Sequence, residues 1–323
     1  ATEIESVTNY QDGIVATVSS WKAESLVTFV NRKEIRPLSK TRDLGIDENW
    51  FPVPETFTYQ TSDSEKAHAL FYSPTNPEYE ISEKEKPPLI VLAHGGPTAA
   101  ARRQLQLSIT YWTSRGFGVA DVDYRGSTGY GRSFRNRLRN SWGLADVEDC
   151  VSVAKYLVEQ KKVDKNKLAI KGGSAGGFTV LAALTFHDTF TAGASRYGIA
   201  DLAILAKDTH KFESRYLDRL VGKWPEDEET YKQRSPIHHI EQLSTPMVIL
   251  QGSEDPIVPP NQAHLMAQKL KENDIPHALI EFPDEGHGFR KAPNITKAIE
   301  SELAFFSHIF DFEPFDDLQK ILF

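Results

Sequence analysis

The residues best suited to chemistry in this chain surround Ser174. The run KGGSAGG at residues 171–177 has the pattern Gly-x-Ser-x-Gly, with Gly172 and Gly176 on either side of the serine. This pattern is typical of a sharp turn between a strand and a helix, where only residues without bulk let the backbone close. Free N–H groups at the start of the helix then lie where a negative oxygen would form. The pattern therefore predicts that Ser174 is a nucleophile.

A serine nucleophile needs a base within hydrogen-bond reach and a third group that orients the base. His287 fits the role of base, because it lies between glycines in the loop after a predicted strand at residues 278–282. Asp255 fits the role of orienting acid, because it lies in the loop after a predicted strand at residues 247–251. The chain order Ser, Asp, His is the order that follows a nucleophile turn of this kind. We expect Ser174, Asp255 and His287 to form a catalytic triad.

Two other carboxylates compete with Asp255 for the orienting role. Glu254 is its neighbour in the same loop, and Asp284 lies only three residues before His287. We favour Asp255 because it follows a strand of its own, and we expect Glu254 to face solvent or to act only through its neighbours.

Acyl transfer to a serine passes through an intermediate with a negative oxygen, which two backbone N–H groups can hold. The residue after the nucleophile, Ala175, is the expected first donor. The second donor is expected in the loop after an earlier strand, where the glycines of HGGP at residues 94–97 allow close approach to substrate. We choose Gly96 as this donor and expect His94 to organise the loop. This chemistry requires no cofactor and no metal.

Composition excludes several classes of protein. The 323 residues, 40% of them hydrophobic, can bury a substantial core, and the net charge of −8 leaves no basic footprint for nucleic acid. No apolar run approaches the roughly 18–20 residues of a membrane span. The single cysteine, Cys150, is expected to be buried in a helix and fits a reducing compartment, so we expect a cytoplasmic protein. Whether the chain forms a homo-oligomer stays open at this point.

Short apolar runs alternate with helical patterns along most of the chain, after an antiparallel strand pair at residues 56–60 and 66–73. Continuous apolar runs suit strands that are buried on both faces of a parallel sheet. The alternation predicts an α/β fold with a mostly parallel, doubly wound sheet flanked by helices. The strands are predicted at residues 89–93, 119–122, 168–170, 192–197, 247–251 and 278–282, and the longest helices at residues 144–160, 261–273 and 295–309.

The first 45 residues have a different character. Strand candidates at residues 13–19 and 26–31 are separated by polar turns, and two such strands are marginally stable alone. The chain also lacks an initiating Met. We expect residues 1–45 to be a β-rich remnant or linker from a larger protein, and residues 46–323 to be the catalytic domain.

Six motifs in this order resemble the catalytic domain of the prolyl oligopeptidase family of serine peptidases, in particular its acylaminoacyl-peptidase and dipeptidyl-aminopeptidase-like branch. The resemblance covers about residues 55–309. It implies an α/β-hydrolase fold that cleaves short peptides, or aminoacyl or acylaminoacyl amides, through an acyl-enzyme in a cavity capped by a β-propeller. The motifs are HGGPT at 94–98, DYRGSTGYG at 123–131, GGSAGG at 172–177, SPI at 235–237, GSED at 252–255 and GHGF at 286–289.

The resemblance also implies a substrate-binding arginine before the Ser-Pro motif. Arg215 is the candidate by position, and an ion pair with Glu213 or Asp218 is its alternative role. The stretch at residues 209–218 is similar to members that include puromycin-hydrolysing aminopeptidases. A full propeller needs several hundred residues, so either the propeller is absent by nature or residues 1–45 are what is present of it.

Two other functions remain in competition. A carboxylesterase of the same fold uses the same machinery for esters, and fold alone does not decide between them. A non-catalytic hydrolase-like interaction domain usually lacks one triad member, whereas all three positions are filled here. We therefore favour a serine peptidase that acts on short peptide or aminoacyl substrates.

Overall fold

A computed structural model of the chain describes residues 2–82, 84–208, 215–319 and 321. These residues form two separate sheets, one of four strands and one of eight. The strands are β1 Glu3–Tyr10, β2 Gly13–Ser20, β3 Ala23–Val30, β4 Ile35–Pro37, β5 Glu55–Gln60, β6 Lys66–Tyr72, β7 Leu89–Ala93, β8 Gly118–Asp123, β9 Leu168–Gly173, β10 Ala192–Arg196, β11 Met247–Gly252 and β12 His277–Phe282.

The helices cover both faces of the larger sheet. On one face, a hydrophobic layer lies between the sheet and the helices at residues 145–159, 175–186 and 261–272, and on the other face a second layer lies between the sheet and the helices at residues 107–113 and 292–310. No helix in the described part of the chain is long and apolar enough to cross a membrane. The α-helices are α1 Leu107–Thr113, α2 Gly131–Asn136, α3 Ala145–Glu159, α4 Ala175–Phe186, α5 Leu202–Asp208, α6 Leu217–Leu220, α7 Glu228–Arg234, α8 Asn261–Glu272 and α9 Ala292–Phe310.

The larger sheet has the strand order β12-β11-β10-β9-β7-β8-β6-β5. Strands β12 through β8 are parallel, and β6 and β5 extend the sheet as an antiparallel pair. The prediction of a mostly parallel α/β sheet is therefore confirmed. Cys150 is buried in α3, as predicted. Because parallel strands end at the same edge, the loops after β7, β9, β11 and β12 meet there.

The smaller sheet differs from the prediction of a strand pair. Its four strands pair antiparallel in the order β1-β2-β3-β4, so the two predicted strands occupy the centre. The edge strands were missed because β1 is mostly exposed and its register shifts between Glu5 and Thr8, while β4 has only three residues. The sheet contacts the segment before α1, where the Leu105 N–H donates to the Ser20 carbonyl at 2.7 Å and Arg102 forms an ion pair with Glu5 at 2.8 Å.

The turn between β9 and α4 contains Ser174 in a strained backbone conformation. Its φ of 57° and ψ of −123° lie in a region that non-glycine residues rarely occupy. A Cβ atom on Gly172 would lie 2.5 Å from the Gly176 carbonyl oxygen and 2.7 Å from that of Ala93. A Cβ atom on Gly176 would overlap the same Ala93 carbonyl. The two glycines thus let the turn press directly against the end of β7.

We predict that Gly172→Ala lowers the free energy of unfolding by about 1–3 kcal/mol, because the added methyl group forces backbone apart at a closely packed site. Denaturation in urea measures the change. Gly286→Ala is the control, since a Cβ atom there would lie 3.7 Å from its nearest neighbour, the Glu254 carbonyl oxygen. Equal stability of the two variants would contradict this account of the turn.

Candidate active site

The structure brings Ser174, His287 and Asp255 into one hydrogen-bonded chain. His287 Nε2 lies 2.8 Å from Ser174 Oγ, and His287 Nδ1 lies 2.8 Å from Asp255 Oδ2. The Asp255 side chain is fully buried, and its other oxygen accepts hydrogen bonds from the N–H groups of Ile257 and Val258 at 2.9 and 3.0 Å. These two bonds fix the carboxylate, which in turn fixes the imidazole ring.

Two sets of contacts fix the loop that contains His287. The His287 ring packs against Tyr197 with the ring centroids 4.9 Å apart. Two residues earlier, the buried carboxylate of Glu285 accepts hydrogen bonds from the N–H groups of Arg290 and Lys291 at 3.0 and 2.9 Å. Because Lys291 immediately precedes α9, these bonds couple the position of the histidine to that helix.

The competing carboxylates lie elsewhere. Asp284 is 72% exposed and forms an ion pair with Lys291 at 3.3 Å. Glu254 is exposed, and its N–H donates to the Glu285 carbonyl at 2.9 Å. Asp255 is thus the carboxylate of the three that reaches His287.

Two backbone N–H groups flank the nucleophile. Ala175 is the first residue of α4, and Gly96, with a φ of +120°, lies in the loop after β7. A Cβ atom on the adjacent Gly95 would lie 3.7 Å from Ser174 Cβ, so this loop passes beside the serine. Within the described residues, the N–H groups of Ala175 and Gly96 donate to no other protein group. Their role as donors to a substrate oxygen stays a prediction.

His94 organises the loop that contains Gly96. Its Nδ1 lies 2.8 Å from the Gly95 carbonyl, and its Nε2 lies 2.7 Å from Ser127 Oγ. Its ring stacks on Tyr124, whose hydroxyl donates to the carbonyls of His94 and Pro97 at 2.9 and 3.1 Å. Desolvation lowers the pKa of His94 to about 4, so the ring is neutral at physiological pH. The contacts agree with the organising role expected for His94.

A buried ion cluster beneath the serine was missed by the sequence analysis. Glu302 of α9 is fully buried and bonds the Arg196 guanidinium through both oxygens, at 2.6 and 2.8 Å, as well as the Lys171 ammonium. Burial alone would raise the pKa of Glu302, but Arg196 and Lys171 together lower it below its ordinary value. The Arg196 carbonyl also accepts the Ser174 N–H at 3.0 Å. The cluster therefore ties α9 to both strands that hold the nucleophile.

The sequence does contain a signal for this cluster. Lys171 directly follows the apolar run of β9, and Glu302 lies on the apolar side of α9, four residues from both Ala298 and Phe306. A charged residue at a core position needs a buried partner of opposite charge. Which partner it has depends on the packing of distant segments.

Arg215 is not drawn into the triad. Its side chain is 81% exposed and forms an ion pair with Asp218 at 3.1 Å. Its neighbour Tyr216 contacts the loop of Gly96, because the Tyr216 hydroxyl lies 2.9 Å from Thr98 Oγ1. Most of the stretch that resembles puromycin-hydrolysing aminopeptidases, residues 209–214 with Glu213, lies outside the described residues.

We predict that Glu302→Ala lowers the free energy of unfolding by about 3–5 kcal/mol, because it leaves Lys171 and Arg196 buried without their anion. Thermal or urea denaturation measures the loss. Glu272→Ala serves as the control, since it removes the exposed pair with Lys269 and should have no measurable effect. A loss no larger than that of the control would show that the cluster does not hold the core together.

The sequence pattern of the prolyl oligopeptidase family matches residues 103–313. A dipeptidyl aminopeptidase BIII from Pseudoxanthomonas mexicana is 31% identical over 213 residues, which are 64% of this chain and 31% of that protein. The first curated relatives are matched over only 28–39% of their length.

Two solved structures are similar over nearly the whole chain. A puromycin hydrolase is 38% identical with a TM-score of 0.93, over 97% of this chain and 48% of that one. A puromycin-hydrolyzing peptidase of Mycobacterium tuberculosis is 39% identical with a TM-score of 0.93, over 98% of this chain and 48% of that one. The resemblance predicted from the motifs is confirmed, and so is the α/β-hydrolase fold. The chain belongs to the prolyl oligopeptidase family.

Proposed function

We propose that this chain is a serine peptidase that hydrolyses short peptides, or aminoacyl or acylaminoacyl amides, through an acyl-enzyme. The observation that carries the proposal is the continuous chain of hydrogen bonds from Ser174 through His287 to Asp255. The names of the relatives, a dipeptidyl aminopeptidase and a puromycin-hydrolyzing peptidase, support a peptide substrate.

In the proposed mechanism, Ser174 Oγ attacks the acyl carbon while His287 Nε2 takes the hydroxyl proton. Asp255 holds the ring and stabilises the imidazolium that forms. The oxygen of the tetrahedral intermediate accepts hydrogen bonds from the N–H groups of Ala175 and Gly96, each worth about 2.7–4 kcal/mol in comparable sites.

Collapse of the intermediate breaks the bond to the leaving amine, which receives its proton from His287. Water then attacks the acyl-enzyme with His287 as base, and the second collapse restores Ser174 and releases the acid. Every proton in this cycle moves through one ring nitrogen, so the 2.8 Å contact between that nitrogen and Ser174 Oγ is the central geometric requirement.

The domain division is proposed as well. Residues 46–323 would form the catalytic domain, and residues 1–45 would supply one blade of a β-propeller, because a four-stranded antiparallel sheet is the unit of that architecture.

Arg215 is proposed to bind a substrate carbonyl or carboxylate. Its side chain is exposed, and the hydroxyl of its neighbour Tyr216 contacts Thr98 in the loop of Gly96. Binding of the substrate would then replace the pair with Asp218.

We predict that a fluorophosphonate probe labels the protein and that Ser174→Ala abolishes the labelling, since the probe reacts with an activated serine. His287→Ala and Asp255→Asn should each lower kcat/KM on the order of 10⁴-fold. Labelling intensity and steady-state hydrolysis of the best substrate provide the measurements.

Each of these variants has a matched control. Ser133→Ala removes an exposed hydroxyl, His264→Ala removes a histidine paired with Glu281 on the surface, and Asp284→Asn tests the rival carboxylate. All three should retain near-normal labelling and turnover. Labelling that persists in Ser174→Ala would overturn the assignment of the nucleophile.

We predict that the protein hydrolyses aminoacyl, acetyl-aminoacyl or dipeptidyl anilides, and that their kcat/KM values exceed the background measured with Ser174→Ala. The panel should include simple p-nitrophenyl esters, which need the same serine but less stabilisation of the leaving group. Hydrolysis confined to the esters would replace the peptidase by a carboxylesterase of the same fold.

A further inference from the structure

A cavity of about 690 Å³ opens from the nucleophile into the space between the sheet, α1 and α9. Ser174, His287 and Gly288 line its mouth. Its volume lies in the range of small-molecule binding sites. Its walls combine polar and charged residues with an apolar part that includes Leu92, Ile109, Trp112, Ile295 and Ile299.

One carboxyl group lines this cavity on the side of the sheet. Asp121 of β8 is 6% exposed, and the Gln106 amide lies beside it. Among the described residues, no lysine or arginine forms an ion pair with this carboxyl, and the three that line the cavity pair elsewhere. Burial, with a smaller contribution from Asp123, raises the pKa of Asp121 to about 7. An ionised Asp121 therefore lacks the buried partner that such a charge requires.

The cations that line the same cavity are already engaged. Lys171 and Arg196 share Glu302, and the exposed Arg102 forms an ion pair with Glu5 at 2.8 Å. Lys171 and Asp121 occupy the same register row but are separated by Leu92 of β7. Two strand spacings place their backbones about 10 Å apart. Among the described residues, no cation that lines the cavity is left to pair with Asp121.

The position of the cavity indicates which part of a substrate would enter it. The leaving amine must lie next to His287, because the ring donates a proton to it. The cavity is lined by His287 and Gly288, by the β9 residues before the serine and by the loop of Gly96, whereas α4 does not contribute. Because His287 and Gly288 line it, the cavity is next to the position of the leaving amine.

The depth of Asp121 sets the length of the group that could reach it. Ser174 lies three residues past the register row of Lys171, or about 10 Å along the strand, and Asp121 lies about 10 Å across it. The two offsets place the Ser174 and Asp121 backbones about 14 Å apart. The Ser174 and Asp121 side chains and the scissile bond cover part of this distance, and a long substrate side chain covers the rest, whereas a short one leaves the carboxyl unmatched.

We propose that this cavity is the subsite for the first residue of the leaving group, and that Asp121 there selects a lysine or arginine side chain. The inference rests on the proposed peptidase function. A cavity with apolar walls on one part and an unpaired carboxylate on another binds the methylenes of such a side chain along the apolar part and the cation at the carboxylate. A neutral side chain of equal length would cover the Asp121 carboxylate without supplying a cation to pair with it.

The test compares two dipeptide amides, X-Lys-NH₂ and X-norleucine-NH₂, where X is the acyl group that the anilide panel selects. Norleucine keeps the methylenes of lysine and lacks its ammonium group. The ratio of the two kcat/KM values should be about 10- to 100-fold in favour of lysine, as expected for a hydrogen bond to a charged group. In Asp121→Asn the ratio should fall to about one.

Asp123→Asn is the matched control, because Asp123 is a buried carboxyl of the same strand that bonds the Ala101 N–H and the Tyr130 hydroxyl outside the cavity lining. It should keep the lysine preference. Product inhibition of the unaltered enzyme gives a measurement without any variant: lysinamide should compete more strongly than norleucinamide by a similar factor.

Three results would overturn the subsite while leaving the peptidase function intact. They are equal cleavage of both amides by the unaltered enzyme, a lysine preference that survives Asp121→Asn, and a preference for lysine only on the acyl side, in Lys-Ala-NH₂ over norleucine-Ala-NH₂. Cleavage of no amide at all would instead overturn the proposed function, and the subsite with it.

Discussion

The rest of the site depends on the backbone contact between the nucleophile turn and the end of β7. Gly172 and Gly176 press against the Ala93 carbonyl at distances that exclude any side chain. This contact holds Ser174 at a φ of 57°, a conformation that costs about 1–3 kcal/mol and persists only where the surroundings impose it. The turn and the Gly96 loop both leave the sheet at this point, so the same contact also brings the two loops next to each other.

The ion cluster around Glu302 performs a different task from the glycines. Burying three charged groups costs several kcal/mol for each ion, and their attraction offsets this cost only in good geometry, so the cluster is weak evidence for added stability. Its geometric effect is clearer. Glu302 bonds a residue of β9 and a residue of β10, and it lies on the helix that follows the His287 loop. Helix α9 thus helps to position both Ser174 and His287.

The sequence predicts the parts of this arrangement that are local. Ser174, Asp255 and His287 each follow an apolar run, and the observed strands of the larger sheet end within three residues of those predicted. The parts it misses depend on distant packing. Nothing near Glu302 in the chain indicates its partners, which precede it by more than 100 residues. Strand β1 alternates too little to stand out, because it is an exposed edge whose pairing with β2 is irregular.

Lys171 and Asp121 show how packing decides which polar groups remain available to a ligand. Both are charged residues with apolar neighbours at the same register row of the larger sheet, and both face the layer of α1 and α9. Lys171 meets Glu302 and becomes part of the framework. Asp121 meets a cavity that leads to Ser174 and His287. A buried charge without a partner is costly, and this cost is why we propose that its partner is a cation that arrives with the substrate.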